Sequence, residues 1–347
     1  MGIEPKKRTF LVTGGAGFIG SNFIPFFIEK NPFHQIVNLD KLTYAGNLSN
    51  LLEVFDNERY HFVEGDICDK NLVDQLFKEL TIDGVIHFAA ESHVDNSIES
   101  PDSFIETNIE GTFTLLEAAR KHWMNAPNKP KAGFEHARFH HISTDEVYGS
   151  LGAEGFFTED TPYAPNSPYS ASKASSDFLV RSYFHTYGLN VVTSNCSNNY
   201  GPKQHDEKLI PTIIRKALKG EAIPIYGDGT NVRDWIFVLD HCRGIELVFN
   251  EGKTGETYLI GGNNEHHNLY IAERICSLLD SRYPKASGTY QEQISFVKDR
   301  PGHDYRYAID ASKIRTALGW SPEESFDSGL EKTIAWYAAK YRAKSEQ

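Results

Sequence analysis

The sequence predicts an α/β fold in which a Rossmann-type, doubly wound parallel sheet is joined to a smaller α/β substrate-binding domain. The first half of the chain alternates short apolar runs with amphipathic stretches of helical period, and a glycine-rich turn separates the first run from the first stretch. This alternation is typical of βαβ units, whose strands pair in parallel. With 347 residues, the chain is also long enough for two unequal domains.

The predicted elements follow one another closely. Strands are expected at 9–13, 35–40, 61–64, 84–89, 139–143 and 191–194, and helices at 18–30, 71–80, 107–122 and 170–187. Beyond residue 196 the loops lengthen and are rich in Gly, Pro, Asn and Asp, and such loops often hold ligands. We therefore expect a cofactor-binding Rossmann domain at 1–196 and a mainly substrate-binding domain at 197–347. Segment 234–262, with predicted strands at 234–238 and 257–260, is expected to return to the first domain.

The composition argues against several classes of protein. The net charge is −12 and the pI about 5.6, whereas a nucleic-acid binder needs clustered Lys and Arg. No apolar stretch is long enough to span a membrane, and no signal-peptide pattern precedes the first strand. Cys68, Cys196, Cys242 and Cys276 are scattered singly, without CxxC spacing. We expect reduced thiols, no metal, no nucleic-acid or membrane partner, and a cytoplasmic location.

The glycine-rich turn at 14–20 has the sequence GGAGFIG and lies between the first predicted strand and helix. Glycines let a backbone approach a pyrophosphate, and a helix N-terminus offers free N–H groups and a favourable dipole. Asp40 ends the next strand about 20 residues on, where a carboxylate accepts hydrogen bonds from an adenosine ribose and repels a 2′-phosphate. The pattern predicts NAD rather than NADP. Two alternatives stay open: the glycines serve packing alone, and Asp66, which could reach the adenine edge, belongs to an ordinary strand-end turn.

Tyr169 and Lys173 are four residues apart on a predicted helix, so the phenol and the ammonium group lie on one face. A nearby Lys⁺ favours the phenolate and should lower the pKa of Tyr169 towards that of a general base. Such a base removes a hydroxyl proton while hydride leaves the same carbon for nicotinamide. This four-residue spacing alone occurs often on helices by chance. Together with the glycine-rich turn, it predicts a catalytic pair.

Residues 143–149, with the sequence STDEVYG, come at the end of the strand predicted at 139–143. Thr144 could hydrogen-bond a substrate hydroxyl. Paired acids with different pKa values, such as Asp145 and Glu146, suit a general acid and a general base, and burial beside Glu146 should raise the pKa of Asp145. Oxidation of an alcohol needs neither carboxyl group. A solvated turn is the alternative.

Seven segments carry a resemblance to a known family along nearly the whole chain. They lie at 13–20, 40–48, 89–95, 143–149, 169–173, 198–202 and 299–304. The glycine-rich turn and the Tyr-x-x-x-Lys spacing resemble the extended short-chain dehydrogenase/reductase superfamily. The Thr-Asp-Glu triplet and the Arg-Pro-Gly-His-Asp segment narrow the resemblance to the dTDP-glucose 4,6-dehydratases.

The resemblance implies a lyase that uses NAD and regenerates it in each turnover. Tyr169 would deprotonate the glucose 4-hydroxyl while hydride passes from C4 to NAD⁺. Glu146 would then remove the C5 proton while Asp145 protonates the departing C6 hydroxyl. Hydride would return to C6, which leaves a 4-keto-6-deoxy sugar. Thr144 and Lys173 complete the implied catalytic set.

The resemblance also implies two binding sets. The cofactor set is Gly14, Gly17, Phe18, Ile19, Gly20, Asp40, Lys41, Leu42, Thr43, Asp66, Ile67, Phe88, Ala89, Ala90, Ser92, Thr107, Tyr169, Lys173 and Asn199. The substrate set is Ser92, Thr144, Asn198, Lys208, Leu209, Pro224, Tyr226, Arg233, Asn268, Asp299, Arg300 and His303. Within it, Arg233 and Arg300 suit the diphosphate oxygens, and Tyr226 suits the base.

Three alternatives remain at this point. A nucleotide-sugar 4-epimerase or decarboxylase shares Tyr169 and Lys173 but does not require elimination across C5–C6. A non-catalytic NAD-sensing protein has no need of Asp145 and Glu146. CDP- or UDP-glucose could replace dTDP-glucose. The helices predicted at 107–122 and 170–187 could pack against a second copy, so a homodimer is expected.

Overall fold

The computed structural model describes residues 7–299 and 304–345. Seven of the fifteen strands in these residues form a central sheet. The strands are β1 (Thr9–Thr13), β2 (Gln35–Asp40), β3 (Tyr60–Glu64), β4 (Ile82–His87), β5 (Met124–Ala126), β6 (Lys129–Pro130), β7 (Arg138–Thr144), β8 (Val191–Cys196), β9 (Asn198–Tyr200), β10 (Ile223–Tyr226), β11 (Val232–Phe237), β12 (Thr257–Ile260), β13 (Glu265–His267), β14 (Ile294–Val297) and β15 (Arg306–Tyr307). The helices are α1 (Phe18–Lys30), α2 (Lys70–Leu80), α3 (Val94–Glu99), α4 (Asp102–Phe104), α5 (Thr112–Trp123), α6 (Pro168–Tyr187), α7 (Leu209–Lys219), α8 (Val238–Glu251), α9 (Asn268–Arg282), α10 (Ser312–Leu318) and α11 (Phe326–Ser345).

The central sheet has the strand order β12-β8-β7-β4-β1-β2-β3, and every neighbouring pair in it is parallel. This confirms the predicted Rossmann-type fold class. The order reverses at β1, which has β2 on one side and β4 on the other. In an open parallel sheet the crevice beyond the carboxyl ends of the strands at such a reversal is where ligands bind.

The two faces of the sheet hold separate cores, because alternate residues of a strand face opposite sides. Phe10 and Val12 of β1 pack in a core with residues of α1 and α8. Leu11, between them, packs in a second core with residues of α2, α5 and α6. Helices on both faces bury the strands, which explains why β1 is a continuous apolar run rather than an alternating one.

Several predicted elements have the bounds that the sequence indicated, namely β1, β2, β12 and α1. The helix predicted at 107–122 differs, since a π-helical turn at Ile105–Gly111 precedes α5. Within this turn Asn108 is buried, and its side chain bonds to the backbone N–H and C=O of Glu91 and to Ser172. The wider turn therefore places a polar side chain between three elements, which helical periodicity does not reveal.

A second lobe consists of β9–β11, β13–β15, α7, α9 and α11, packed around a third core. The strand expected at 234–238 lies outside the central sheet. It is β11, which pairs with β9, β13 and β15 because the chain leaves the central sheet after β8 and β9 runs beside β11. β12 does join the central sheet, beside β8. The division into domains at residue 196 stays a prediction.

Candidate active site

The glycine-rich turn lies against the end of β4, where two of its positions admit no side chain. Gly14 has φ +72°, and a Cβ added there would lie 2.6 Å from the backbone nitrogen of Ala89. A Cβ on Gly20 would lie 2.5 Å from the carbonyl oxygen of Gly14. Gly17 precedes α1, and no side chain of the described residues caps this helix. The first-turn N–H groups therefore remain available to an anionic group, which is what a pyrophosphate requires.

Asp40, at the end of β2, is buried beside this turn. Its carboxylate accepts hydrogen bonds from the backbone N–H groups of Ala16 and Leu42, both at 2.9 Å. Burial raises the pKa of Asp40, and the two hydrogen bonds partly oppose that rise. Asp66, at the end of the next strand, forms an ion pair with Lys41 at 2.6 Å and accepts the N–H of Cys68 at 2.9 Å. Asp66 thus has the contacts of a strand-end turn, while both aspartates border the same cavity.

That cavity, of about 320 Å³, joins the glycine-rich turn to the end of β7. The predicted residues that line it are Gly14, Gly17, Phe18, Ile19, Gly20, Asp40, Lys41, Thr43, Asp66, Ile67, Phe88, Ala89, Ala90, Ser92, Thr107, Thr144, Asp145, Glu146, Tyr169, Lys173, Asn198, Asn199 and Lys208. Residues far apart in sequence therefore share one space, because the carboxyl ends of parallel strands meet at one edge of the sheet.

Seven other predicted residues within the described ranges lie outside this lining: Leu42, Leu209, Pro224, Tyr226, Arg233, Asn268 and Asp299. Leu42 follows β2, and Leu209 begins α7 directly after Lys208. Pro224 and Tyr226 are on β10, and Asn268 begins α9. A Cβ on Gly227, beside Tyr226, would lie 3.2 Å from Oδ2 of Asp299. Arg300 and His303 lie outside the described residues.

Arg233 is 5% exposed on β11. Its guanidinium donates to the carbonyl oxygens of Val232 at 2.7 Å and Asp304 at 2.9 Å, and it lies 4.2 Å from the ring centroid of Tyr307. Its positive charge nevertheless lowers the pKa of Asp145 and so opposes part of the rise caused by burial. Arg233 is therefore held in place by backbone contacts close to the catalytic candidates.

The catalytic candidates come together where β7 ends and α6 begins. Thr144 is the last residue of β7, and Asp145–Tyr148 form a 3₁₀ turn in which the N–H of Glu146 donates to Oγ1 of Thr144 at 3.3 Å. A capping box of Ser167 and Ser170 fixes the start of α6 and so places Tyr169 in its first turn. Lys173 is one turn further on, and its Nζ donates to the carbonyl oxygen of Ile142 at 2.8 Å.

Asp145 is 2% exposed, and its pKa is raised well above the ordinary value by burial and then by the charges of Glu146 and Asp234. This confirms the expected direction, which favours the protonated form that a general acid needs. The expectation that Lys173 lowers the pKa of Tyr169 is wrong for this structure. Burial and the charge of Glu146 raise that pKa well above its ordinary value, while the ammonium group of Lys173 donates to the carbonyl oxygen of Ile142. Burial also lowers the pKa of Lys173 to about 8.

Two buried oxygens in the cavity are available to a ligand. Oδ2 of Asp145 and Oδ1 of Asn198 have no hydrogen-bond partner among the described residues. A buried polar atom without a partner is costly. Hydroxyl groups of a bound sugar would satisfy both atoms.

Sequence reasoning missed other residues that line the cavity: Leu39, Ala45, Gly46, Gly65, Glu91, Ile142, Ser143, Cys196, Ser197, Gln204, His205 and Glu207. It also missed Asp177, which is buried behind Lys173. The spacing of four residues between Lys173 and Asp177 was a usable signal, since it places both on one helix face. His205 and Glu207 carry no such pattern, and only the approach of the second lobe brings them to the cavity.

Within residues 7–299 and 304–345, no helix combines the length and apolar character needed to cross a membrane. In the same part of the chain, no group of three or more His, Cys, Asp and Glu is arranged to hold a metal ion. All four cysteines are free thiols.

Comparison with known proteins places this geometry among enzymes of nucleotide sugars. A model of the family described as GDP-mannose 4,6 dehydratase matches residues 11–333. The dTDP-glucose 4,6-dehydratase of Neisseria gonorrhoeae is 56% identical over 335 residues, which cover 95% of this chain and 96% of that protein. The crystal structure of dTDP-glucose 4,6-dehydratase from Streptomyces venezuelae with NAD and TYD bound matches with a TM-score of 0.87 and 45% identity, covering 96% of this chain and 98% of that one. UDP-glucose 4-epimerase of Thermotoga maritima with UDP-glucose has a TM-score of 0.82 and 28% identity, over 96% and 99% of the two chains.

Proposed function

The chain belongs to the dTDP-glucose 4,6-dehydratase family of extended short-chain dehydrogenases/reductases, and we propose that it converts dTDP-glucose into dTDP-4-keto-6-deoxyglucose and water. One observation carries this proposal. Thr144, Asp145 and Glu146 border the same cavity as Tyr169 and Lys173, and that cavity continues to the glycine-rich turn. An oxidation site therefore adjoins a pair of carboxyl groups, and removal of water is the chemistry that needs such a pair.

NAD is the cofactor, and the residues around the turn fit it. Gly14 and Gly20 keep the backbone of the turn free of side chains, so the N–H groups at the start of α1 suit the pyrophosphate. The carboxylate of Asp40 suits the adenosine ribose and disfavours a 2′-phosphate. When bound, NAD supplies the acceptor for the hydride of C4 and returns that hydride to C6.

Oxidation at C4 falls to Tyr169, Thr144 and Lys173. Tyr169 takes the proton of the 4-hydroxyl in its phenolate form, which the positive charge of oxidised NAD would favour against the effect of burial, and the hydroxyl group of Thr144 orients the same oxygen by a hydrogen bond. The ammonium group of Lys173 offsets negative charge on the phenol in a site that is otherwise shielded from water, since Tyr169 is 8% and Lys173 4% exposed. The 4-ketone that results makes the C5 proton acidic.

Elimination across C5–C6 falls to the carboxyl pair. Glu146 removes the C5 proton, and Asp145 donates the proton that it holds through burial to the departing C6 hydroxyl. Glu146 later returns its proton to C5. Over one turnover Tyr169 gains the proton that Asp145 loses, so exchange between them or with solvent restores the resting state, and the net products are the keto sugar and water.

The substrate contacts form part of the same proposal. Ser92, Asn198 and Lys208 border the cavity and would hold the sugar. The residues of the second lobe would hold the nucleoside diphosphate: Leu209, Pro224, Tyr226, Arg233, Asn268 and Asp299, with Arg300 and His303. The influence of Arg233 on Asp145 supports this, since it places a cation of the second lobe near the reacting end.

The test follows deuterium placed at C4 of dTDP-glucose. A dehydratase delivers the label to C6 of the same molecule and incorporates solvent deuterium at C5 when the reaction is run in heavy water. A 4-epimerase, the second candidate because of its similar fold, would return the label to C4. Label found at C4 in every product would exclude the proposal. Initial rates with the CDP- and UDP-glucose analogues then measure the preference for thymine.

We further propose a homodimer and a cytoplasmic location. Phe113 of α5 and Phe178 of α6 are 39% and 57% exposed, and large apolar side chains on neighbouring helices suit a self-complementary interface. The four free thiols suit a reducing compartment. Light scattering should give a dimer for the wild type and a monomer for Phe178→Asp, whereas a monomeric wild type would exclude the interface.

A further inference from the structure

Lys173 has a buried acidic neighbour that the proposed reaction does not use. Asp177 follows it by four residues on α6, so the two side chains lie on one face of the helix. Asp177 is 5% exposed, and the cavity is lined by Lys173 but not by Asp177. Asp177 therefore lies behind the site and can act on the reaction only through other residues.

Three polar side chains from separate parts of the fold surround the carboxylate of Asp177. The hydroxyl of Tyr163 donates to Oδ2 at 2.8 Å, and Nδ2 of Asn195 donates to the same oxygen at 3.1 Å. Nε2 of His141 lies 3.0 Å from Oδ1. Nδ2 of Asn195 also donates to the carbonyl oxygen of Thr144 at 3.0 Å. The network therefore connects Asp177 to the end of β7.

Asp177 is ionised in this setting. Burial by itself would raise its pKa, but the hydrogen bond from His141 and the charges of His141 and Lys173 hold the pKa below the ordinary value. His141 is neutral near pH 7, because burial and the charge of Lys173 lower its pKa to about 4. Four further groups interact electrostatically with Lys173 or Asp177. Burial raises the pKa of Cys196 to about 12, and it also raises the pKa values of Tyr148 and Tyr163. Burial lowers the pKa of His87. All of these groups are uncharged near pH 7.

We propose that Asp177 is a positioning residue. Its carboxylate is the buried counter-charge that keeps Lys173 protonated, and its hydrogen bond with Asn195 helps to hold Thr144 in place. Its effect on turnover rests on the proposed function, whereas its effect on Lys173 does not. An ammonium group removed from water retains its proton only when a negative charge compensates for the lost hydration.

The first experiment compares pH profiles. Asp177→Asn keeps the shape of the side chain and removes its charge, so the pKa of Lys173 should fall from about 8 by roughly 1–3 units, the usual effect of a nearby opposite charge. Because the protonated form is active, the alkaline limb of kcat should move to lower pH by the same amount. KM for dTDP-glucose should be unchanged. Asp177→Glu should restore the limb, and the matched control Tyr163→Phe, which removes one donor but no charge, should leave the limb in place.

The second experiment reads Lys173 directly and needs no substrate. In protein with ¹³Cε-labelled lysine, the signal lost in Lys173→Met identifies this residue, and its titration gives the pKa in the wild type and in D177N. A wild-type pKa below about 6, or identical titrations in folded wild type and D177N, would overturn the inference. If the pKa of Lys173 falls in D177N but the wild type does not convert dTDP-glucose, the inference stands and the proposed function is rejected.

Discussion

Replacing Asp145 by asparagine tests the elimination step separately from oxidation. Asparagine keeps the shape of the side chain but has no proton to give, so Asp145→Asn should lower the rate of water loss by about 10²–10⁴-fold, the usual contribution of a general acid. Tyr169, Thr144 and Lys173 are untouched, so C4 oxidation should continue and the 4-keto hexose nucleotide should accumulate. Quenching with borodeuteride and mass spectrometry would detect that species as a deuterated hexose.

The same substitution has a calculable effect on stability. The pKa of Asp145 is raised in the folded protein from an ordinary value of 3.8, so its contribution to stability is complete below that value and is lost as pH rises towards the folded pKa. Over this interval the wild type loses about 1.4 kcal/mol per pH unit relative to a variant without the carboxyl group. The difference in stability between Asp145→Asn and the wild type should therefore shift by a margin in favour of the variant from pH 5 to pH 7.

Urea unfolding at those two pH values measures the margin. A margin that stays constant would mean that Asp145 ionises at its ordinary pKa, and the argument that burial stores its proton would fail. Glu146→Gln is the matched kinetic control, because it keeps the stored proton but removes the base. It should abolish solvent deuterium at C5, whereas unimpaired turnover in either well-folded variant would refute the assignment of the pair.

The remaining predictions concern the oxidation site and the cofactor site. Tyr169→Phe should leave substrate affinity by calorimetry unchanged and lower kcat by about 10²–10⁴-fold; near-normal turnover would mean that another group takes the 4-hydroxyl proton. Asp40→Ala should weaken NAD binding and narrow the preference over NADP, and equal wild-type affinity for the two cofactors would contradict the role of Asp40. Gly14→Ala should cost at least about 1–3 kcal/mol in urea unfolding, the usual cost of a strained backbone conformation, because it adds a clash with Ala89 to a φ of +72°. Gly220→Ala, at φ +73° with no atom within 4 Å of an added Cβ, is the matched control and should cost less.

The first βα unit could be predicted from local sequence because residues close to each boundary determine where its strand and helix begin and end. The apolar run of β1, the glycines before α1 and the polar residues after Lys30 all act within a few residues of the boundaries they set. The π-helical turn at Ile105–Gly111 could not be predicted in that way. It depends on Asn108 reaching Glu91 and Ser172, which lie 17 and 64 residues away.

The local sequence pattern also could not show to which sheet a strand belongs. β11 and β12 are both short and buried, and periodicity does not name a strand's partner. The partners of β11 are set by contacts of its polar residues. Arg233 donates to the carbonyl oxygen of Asp304, and Asp234 accepts the N–H groups of Gly262 and Asn264. These contacts hold β11 in the second lobe.

In the active site, sequence spacing indicated which groups meet but not which electrostatic effect dominates. The four-residue spacing from Tyr169 to Lys173 suggested a lowered phenol pKa, whereas burial, which the spacing does not report, raises it. For Asp145 the neighbouring charge and burial act in the same direction, so the expectation from sequence was correct. A pKa can be predicted from sequence when its causes agree, and not when they oppose one another.

In the proposed reaction, the shared neighbour Glu146 couples the oxidation to the elimination. Its negative charge raises the pKa of both Asp145 and Tyr169. While Glu146 is ionised, Asp145 therefore holds its proton more tightly, and the phenolate that Tyr169 needs for the oxidation is harder to form. When Glu146 takes the C5 proton, that charge disappears and the pKa of Asp145 falls. Asp145 therefore becomes a stronger acid at the moment when the C6 hydroxyl must be protonated to leave. When Glu146 returns the proton to C5, its charge reappears, the pKa of Asp145 rises again, and the acid recovers its proton before the next substrate is oxidised.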